Sequence, residues 1–191
     1  MHNLEWADPP DVIAARRAEA EAAGWTGPVS IDIIGDIDTT MAERVGALLD
    51  AAPRAEHVVI TIDSPGGRFP AALDIHALLA GHPAKRKVAR IRRAESAAIL
   101  VAMAADWRVA EPGAVILLHA AAMPASAARL TAAAHREAAR HLGWLDGQTA
   151  KLMERRTGTA AKVFMDAMQD EAPSSIDWCL RYGVVNEVFH E

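Results

Sequence analysis

Apolar positions along the chain alternate between a period near two and a period near 3.6. Pro9 and Pro10 precede D-V-I-A-A-R-R-A-E-A-E-A-A, which predicts a helix over about 11–23, closed by Gly24 and Gly27-Pro28. V-S-I-D-I-I-G-D-I at 29–37 alternates apolar with polar residues and is rich in β-branched side chains, the pattern of a strand that turns near Gly35. Met41, Val45, Leu48 and Leu49 then share one face of a helix over about 41–52, with Thr39 or Thr40 as its cap. H-V-V-I-T-I-D at 57–63 reads as a short β-branched strand that breaks at S-P-G-G (64–67), after which 69–81 is helical. A strand at about 87–92, an Ala-rich helix from Ser96 to Ala105, and two short strands at 108–110 and 115–118 follow. The repeated strand–helix alternation predicts an α/β domain with largely parallel pairing.

From Ala125 to about Arg156 the helical period continues without a break. Leu130, Ala134, Ala138, Leu142, Leu145, Thr149, Leu152 and Met153 mark an apolar seam at spacings of three and four. A helix of that length reaches beyond a small domain, so the seam serves either an oligomer contact or the chain's own core. T-G-T (157–159), a short helix, an acidic turn at Gln169-Asp170-Glu171, a helix near 174–181 and a strand at 184–188 complete the pattern. Residues 1–28 read as an extension carrying one helix, and 29–191 as the main domain.

Composition narrows the classes. At 191 residues and 51% hydrophobic, the chain suits one globular domain. Only 5% is aromatic while Ala dominates several stretches, so small and aliphatic side chains must fill the core. The net charge of −5 argues against a polyanionic partner, nucleic acid or membrane. Lys85, Arg86, Lys87, Arg90, Arg92 and Arg93 crowd the segment 85–93, but without interleaved aromatics they read as a solvated strand edge or as ion-pair partners between subunits. Cys179 is the single cysteine, so no internal disulfide can form, and no Cys/His spacing suggests a metal. The start M-H-N-L-E-W-A-D-P-P lacks a basic leader and an apolar core, which points to a soluble cytoplasmic protein. Trp144 and Trp178 are expected to be packing anchors.

Three places could carry chemistry. The glycine turn Ser64-Pro65-Gly66-Gly67 joins a buried-looking strand to a helix, where unobstructed N–H groups can face an oxyanion or phosphate, or simply make a tight turn. Ser96 opens the Ala-rich segment, where a hydroxyl is either a nucleophile favoured by the helix dipole or an ordinary cap. His119 ends the apolar strand A-V-I-L-L and becomes a general base only with a nucleophile in reach.

This ordered set resembles the Clp protease proteolytic subunit family over about residues 29–188: strand-S-P-G-G-helix, Ser96 opening an Ala-rich helix, the strand-terminal His119, a long helix, T-G and Y-G-V-V. It looks closest to the phage prohead-type Clp-like branch. The resemblance implies an α/β fold, the crotonase-like (ClpP) β-α spiral with a long protruding helix that joins rings. It also implies serine-type endopeptidase activity through an acyl-enzyme, with no cofactor and a peptide or protein substrate. Ser96 would be the nucleophile, His119 the base, and Gly67 and Ala97 the oxyanion hole. Glu171 would be the third member, with Asp170 as the alternative. The sequence departs from the family at Arg92-Arg93-Ala94-Glu95-Ser96, where small residues are usual, and at Ala120-Ala121 after the histidine. Glu95 could face inward, block substrate or point to solvent. An inactive ring-forming scaffold and a crotonase-type acyl-CoA enzyme are the alternative readings. Residues before 29 do not resemble the family's axial-loop segment, which argues against docking to a Clp ATPase.

Overall fold

The computed structural model describes residues 9–123 and 131–189. The expected start of the long helix at Ala125, and Leu130 of its seam, lie outside the described residues. Seven helices and five strands follow in the described residues: α1 (Pro10–Ala22), β1 (Val29–Ile34), α2 (Thr39–Asp50), β2 (His57–Ser64), α3 (Phe69–Gly81), β3 (Arg86–Glu95), α4 (Ala98–Ala102), β4 (Trp107–Leu117), α5 (Ala132–Thr157), α6 (Ala161–Gln169), α7 (Ile176–Arg181) and β5 (Glu187–Val188).

The strands pair in parallel in the order β1-β2-β3-β4-β5, so each crossover advances one strand the same way and the chain winds as a β-α spiral. Register aligns Ile33, Ile62, Ile91 and Ala110 in one row, all buried. The neighbouring row on the opposite face, Asp32, Thr61 and Arg90, is polar. All-parallel sheets are usually covered on both faces. Here, among the described residues, the helices share one core with the apolar face, and the other carries Arg90 and Arg92 bound to Glu111 at 3.0 and 2.8 Å. The basic segment therefore lies on the central strand β3, not at a sheet edge, and its side chains are largely used within the chain. Lys87 is buried, Lys85 pairs with Glu56 at 2.9 Å, and Arg86 lies over Trp107.

Several element ends differ from expectation for local reasons. Asp38, not Thr39 or Thr40, caps α2 by accepting the Met41 N–H at 2.8 Å. The two short strands expected at 108–110 and 115–118 are one strand, β4. Pro112-Gly113 interrupts the pairing between Ala110 and Val115 without turning the chain. Arg108 is buried and lashes β4 to the C-terminal segment by donating to the carbonyls of Ala105, Val184 and Gly183. Trp178 packs edge-on against Phe164, as a core anchor should. Trp144 instead stacks on His141, outside the core.

α5 spans 26 residues, about 39 Å at 1.5 Å per residue. Its buried residues, Asp146, Gln148, Ala150, Leu152 and Met153, all lie in the C-terminal half, so the N-terminal half protrudes from the body. α1 lies against the body through Arg17, which donates to the carbonyls of Pro83 and Ala84. Among the described residues no helix is long and apolar enough to cross a membrane.

Candidate active site

A cavity of about 900 Å³ opens at the carboxyl ends of β2, β3 and β4, where ligands bind in open α/β sheets. Ser96, Ala97, Gly67 and His119 all line it. A slightly larger cleft of about 1050 Å³ between α1, α2 and α3 holds none of them.

β3 reaches this cavity with a shifted register. Ile62 pairs with Ile91 but Asp63 pairs with Arg93, so Arg92 is bulged and the strand end is re-aimed. Ser96 follows at φ +53°, a left-handed conformation that costs a non-glycine residue of order 1–3 kcal/mol. The predicted helix over Ser96–Ala105 is accordingly shorter: its first helical residue is Ala98, and Ser96 occupies the sharp turn before it. The surroundings fix that turn. The Ser96 N–H donates to Leu117 O at 2.9 Å, and its carbonyl accepts from Ile99 N–H at 3.1 Å. Residues Ala97 to Ala105 are all buried.

The glycine turn packs directly onto this elbow. A Cβ on Gly66 would lie 2.7 Å from Glu95 O and 2.8 Å from Ser96 Cβ, and a Cβ on Gly67 would collide with the Ile37 backbone. Both glycines have positive φ, at +96° and +146°. Ile37 N–H donates to Gly66 O and Arg68 N–H to Ile37 O, each at 2.7 Å, while the buried Ser64 Oγ accepts the Gly66 N–H at 3.0 Å. Among the described residues no backbone carbonyl accepts the N–H of Gly67 or of Ala97. Gly67 and Ala97, whose N–H groups thus have no backbone partner, line the same cavity as Ser96.

His119 is half-buried just past the end of β4, and its Nδ1 is 2.8 Å from Ala120 O. A carbonyl can only accept, so Nδ1 carries the proton of this bond, and in the neutral imidazole the lone pair is then on Nε2, the tautomer a general base needs. The expected acids stand apart. Asp170 and Glu171 are exposed, and no hydrogen bond or ion pair among the described residues joins either to His119. Their turn is nevertheless tied beside the histidine strand: Ala120 N–H donates to Met168 O at 3.1 Å, and Ser174 N–H to Ile116 O at 2.8 Å. Glu171 shares the left-handed geometry of Ser96, at φ +48°.

Glu95 does not line the cavity. Its carboxylate is held by Arg93 in a two-point pair at 2.8 and 3.2 Å, since residues i and i+2 share a strand face. Cys179 is buried, which pushes its thiol up to about 12 and leaves it inert. One cavity residue escaped sequence reasoning. Asp146 is 9% exposed and accepts the Ala121 N–H at 2.7 Å. Its signal was a carboxylate in step with the apolar seam, four residues after Leu142 and three before Thr149.

The family model described as Clp protease matches residues 27–191. The chain belongs to the Clp protease family. Two solved structures share its fold. A point mutant of ClpP1 from Listeria monocytogenes is 22% identical with a TM-score of 0.71, covering 85% of this chain and 91% of its own. ClpP1 from Listeria monocytogenes is 20% identical with a TM-score of 0.67, covering 95% of each chain. A search of curated proteins finds no match. Family membership makes the chain a ClpP-like peptidase, a hydrolase of a family whose members form ring-shaped oligomers and act on protein substrates. The crotonase-like spiral and the protruding α5 are those of the ClpP fold.

Proposed function

We propose that this Clp-family chain is a serine-type endopeptidase that works through an acyl-enzyme. The observation that carries the reading is the gathering of Ser96, His119 and two unengaged N–H donors, from Gly67 and Ala97, around one cavity. Ser96 Oγ attacks the scissile carbonyl carbon while His119 Nε2 takes its proton. The negative charge that develops on the carbonyl oxygen is met by the Gly67 and Ala97 N–H groups. The C–N bond then breaks, His119 returns the proton to the leaving amine, and the acyl group stays on Ser96. Water, deprotonated by the same imidazole, attacks the ester carbonyl. The C–Oγ bond breaks, His119 returns the proton to Ser96 Oγ, and the new acid leaves as its carboxylate with its proton passed to solvent. Every proton and electron pair is accounted for by these side chains, the peptide, one water and the solvent.

Glu171 is the third member in this reading, with Asp170 next to it as the alternative. It would stabilise the imidazolium that forms when His119 accepts the proton. Ala120 O already fixes the tautomer, so the carboxylate's part is electrostatic. We place the protein in the cytoplasm as a ring-shaped homo-oligomer. The uncovered polar face of the sheet and the free half of α5 supply surfaces for such contacts.

The test is labelling of the purified protein with a fluorophosphonate probe, with the modified residue located by mass spectrometry. Labelling at Ser96 is expected, with none on Ser96→Ala and a loss of at least hundredfold on His119→Ala, about 3 kcal/mol in the barrier. An unlabelled Ser96 in a folded oligomer would overturn the reading.

A further inference from the structure

The cavity beside Ser96 carries more negative charge than an apolar substrate pocket requires. Asp146 stands in its wall, and Asp36 and Asp38 at its rim, against Arg68 as the one permanent cation among its lining residues. Asp38 is committed in part to capping α2, and Asp36 is exposed. Asp146 is different. Its residue is more than nine-tenths buried, and among the described residues no Lys, Arg or His lies within ion-pairing distance. Oδ1 accepts the Ala121 N–H at 2.7 Å, and no hydrogen bond among the described residues holds Oδ2.

Oδ2 is not one of the enclosed unpartnered side-chain atoms among the described residues, so it opens onto the cavity, where a bound cation would meet a carboxylate with no counter-charge of its own. Tethering the Ala121 N–H does not require that charge, since a neutral amide oxygen accepts the same bond. The rest of the wall also fits a long cation. Leu145 and Thr149 flank Asp146 on α5, and Ala97 and Ala121 are small, leaving room for an aliphatic stem that ends at the carboxylate.

We propose that Asp146 makes this cavity selective for a lysine or arginine side chain on the residue that donates the scissile carbonyl. The inference rests on the serine-peptidase reading above. The buried acid supplies the counter-charge for the substrate's cation, and the cation relieves the unpaired acid. Discrimination arises on both sides, because a leucine in the same place would cover the open Asp146 carboxylate without supplying a counter-charge.

Two peptidyl diphenyl phosphonates, identical but for lysine or leucine beside phosphorus, serve as probes alongside the fluorophosphonate. Each rate is divided by fluorophosphonate labelling of the same preparation, so a general loss of reactivity cancels. The lysine probe is expected to label wild-type Ser96 at least about tenfold faster than the leucine probe, and Asp146→Asn to lower that ratio at least about tenfold. The wild-type ratio stands as a test even if the variant fails to fold. Equal rates, faster labelling by leucine, or an unchanged ratio in Asp146→Asn would overturn the proposal and leave Asp146 as a tether for the Ala121 backbone. Failure of the fluorophosphonate itself sinks the serine-peptidase reading and this one together. Fluorophosphonate labelling without lysine preference sinks this one alone.

Discussion

The two sides of the candidate site are built to different standards. Ser96 and Glu171 are the non-glycine residues with positive φ among the described residues, at +53° and +48°. Strain at Ser96 is over-determined by the surrounding structure. Its N–H and carbonyl are both bonded, the glycine turn leaves no space beside it, and Ala97 to Ala105 behind it are buried. Glu171 sits on a turn tied only at its ends, with an exposed side chain that bonds to nothing among the described residues. Interior packing therefore positions the proposed nucleophile and oxyanion donors, whereas the proposed acid depends on whatever covers its turn. In a ring-forming family, a neighbouring subunit is a natural cover.

The sharpest way to break that contrast is to disturb the over-determined side. Gly67→Ala would drive its methyl into the Ile37 backbone, and Gly66→Ala would press on Glu95 O and Ser96 Cβ. Each is expected to abolish detectable fluorophosphonate labelling, a loss above about hundredfold, since the barrier rises by one decade for every 1.36 kcal/mol. Gly113→Ala is the control. It has the same positive φ, at +76°, with open space around it, so it costs only the conformational strain of about 1 kcal/mol and leaves labelling intact. Equal labelling by Gly67→Ala and wild type would show that the turn is not the donor.

A second effect, smaller but still large, comes from behind the elbow. His76 on α3 is buried and its Nδ1 bonds Leu100 O of α4 at 2.7 Å. Burial lowers its pKa from 6.5 to about 4, the retained hydrogen bond notwithstanding. Below pH 6.5 the unfolded chain takes up a proton that the folded chain refuses, so stability is full above that pH and falls as pH drops toward 4. The loss is about 3 kcal/mol, from 1.36 kcal/mol per unit. Thermal unfolding followed from pH 7 to pH 4.5 should show the melting point dropping across this window, with a shallower drop in His76→Gln. His82, whose pKa is also lowered by burial, adds to the slope in the same direction. An identical slope in the variant would assign the acid sensitivity to other groups.

The sequence made most of the frame legible because α/β alternation leaves strong periodic signals. The α3 boundaries follow from the break at S-P-G-G and the helical period after it, and the long helix from its seam, as far as it lies in the described residues. What it hid was relational. Nothing local says that Arg92 is bulged, that Arg93 takes Glu95 away from the hydroxyl, or that the basic segment is the middle strand, because each depends on register between segments distant in sequence. The residue pattern singles out Ser96 at the head of an Ala-rich run and the family resemblance alone adds Ala97, while the pattern starts the helix at Ser96, since only the glycine turn packed on it explains the left-handed turn. Asp146 was missed because periodicity counts apolar positions and passes over a charged residue among them.

The smallest effect probes the loosely built side. With Ala120 O already orienting the imidazole, removing the carboxylate should cost less than removing a fully engaged triad acid. Glu171→Gln is expected to lower kcat/KM on a fluorogenic peptide about tenfold, equivalent to about 1.4 kcal/mol of barrier, with Asp170→Asn changing it less than about twofold. The reverse ranking would move the role to Asp170. No change in either variant would leave Ser96 and His119 as a dyad oriented by the backbone. If the acid acts only when its turn is covered, the Glu171→Gln effect should appear in the assembled oligomer and vanish in a dilution series that yields subunits, each arm normalised to its own wild type. A constant tenfold loss at every dilution would show that the turn reaches the imidazole without a neighbour, and would erase the contrast between the two sides of the site.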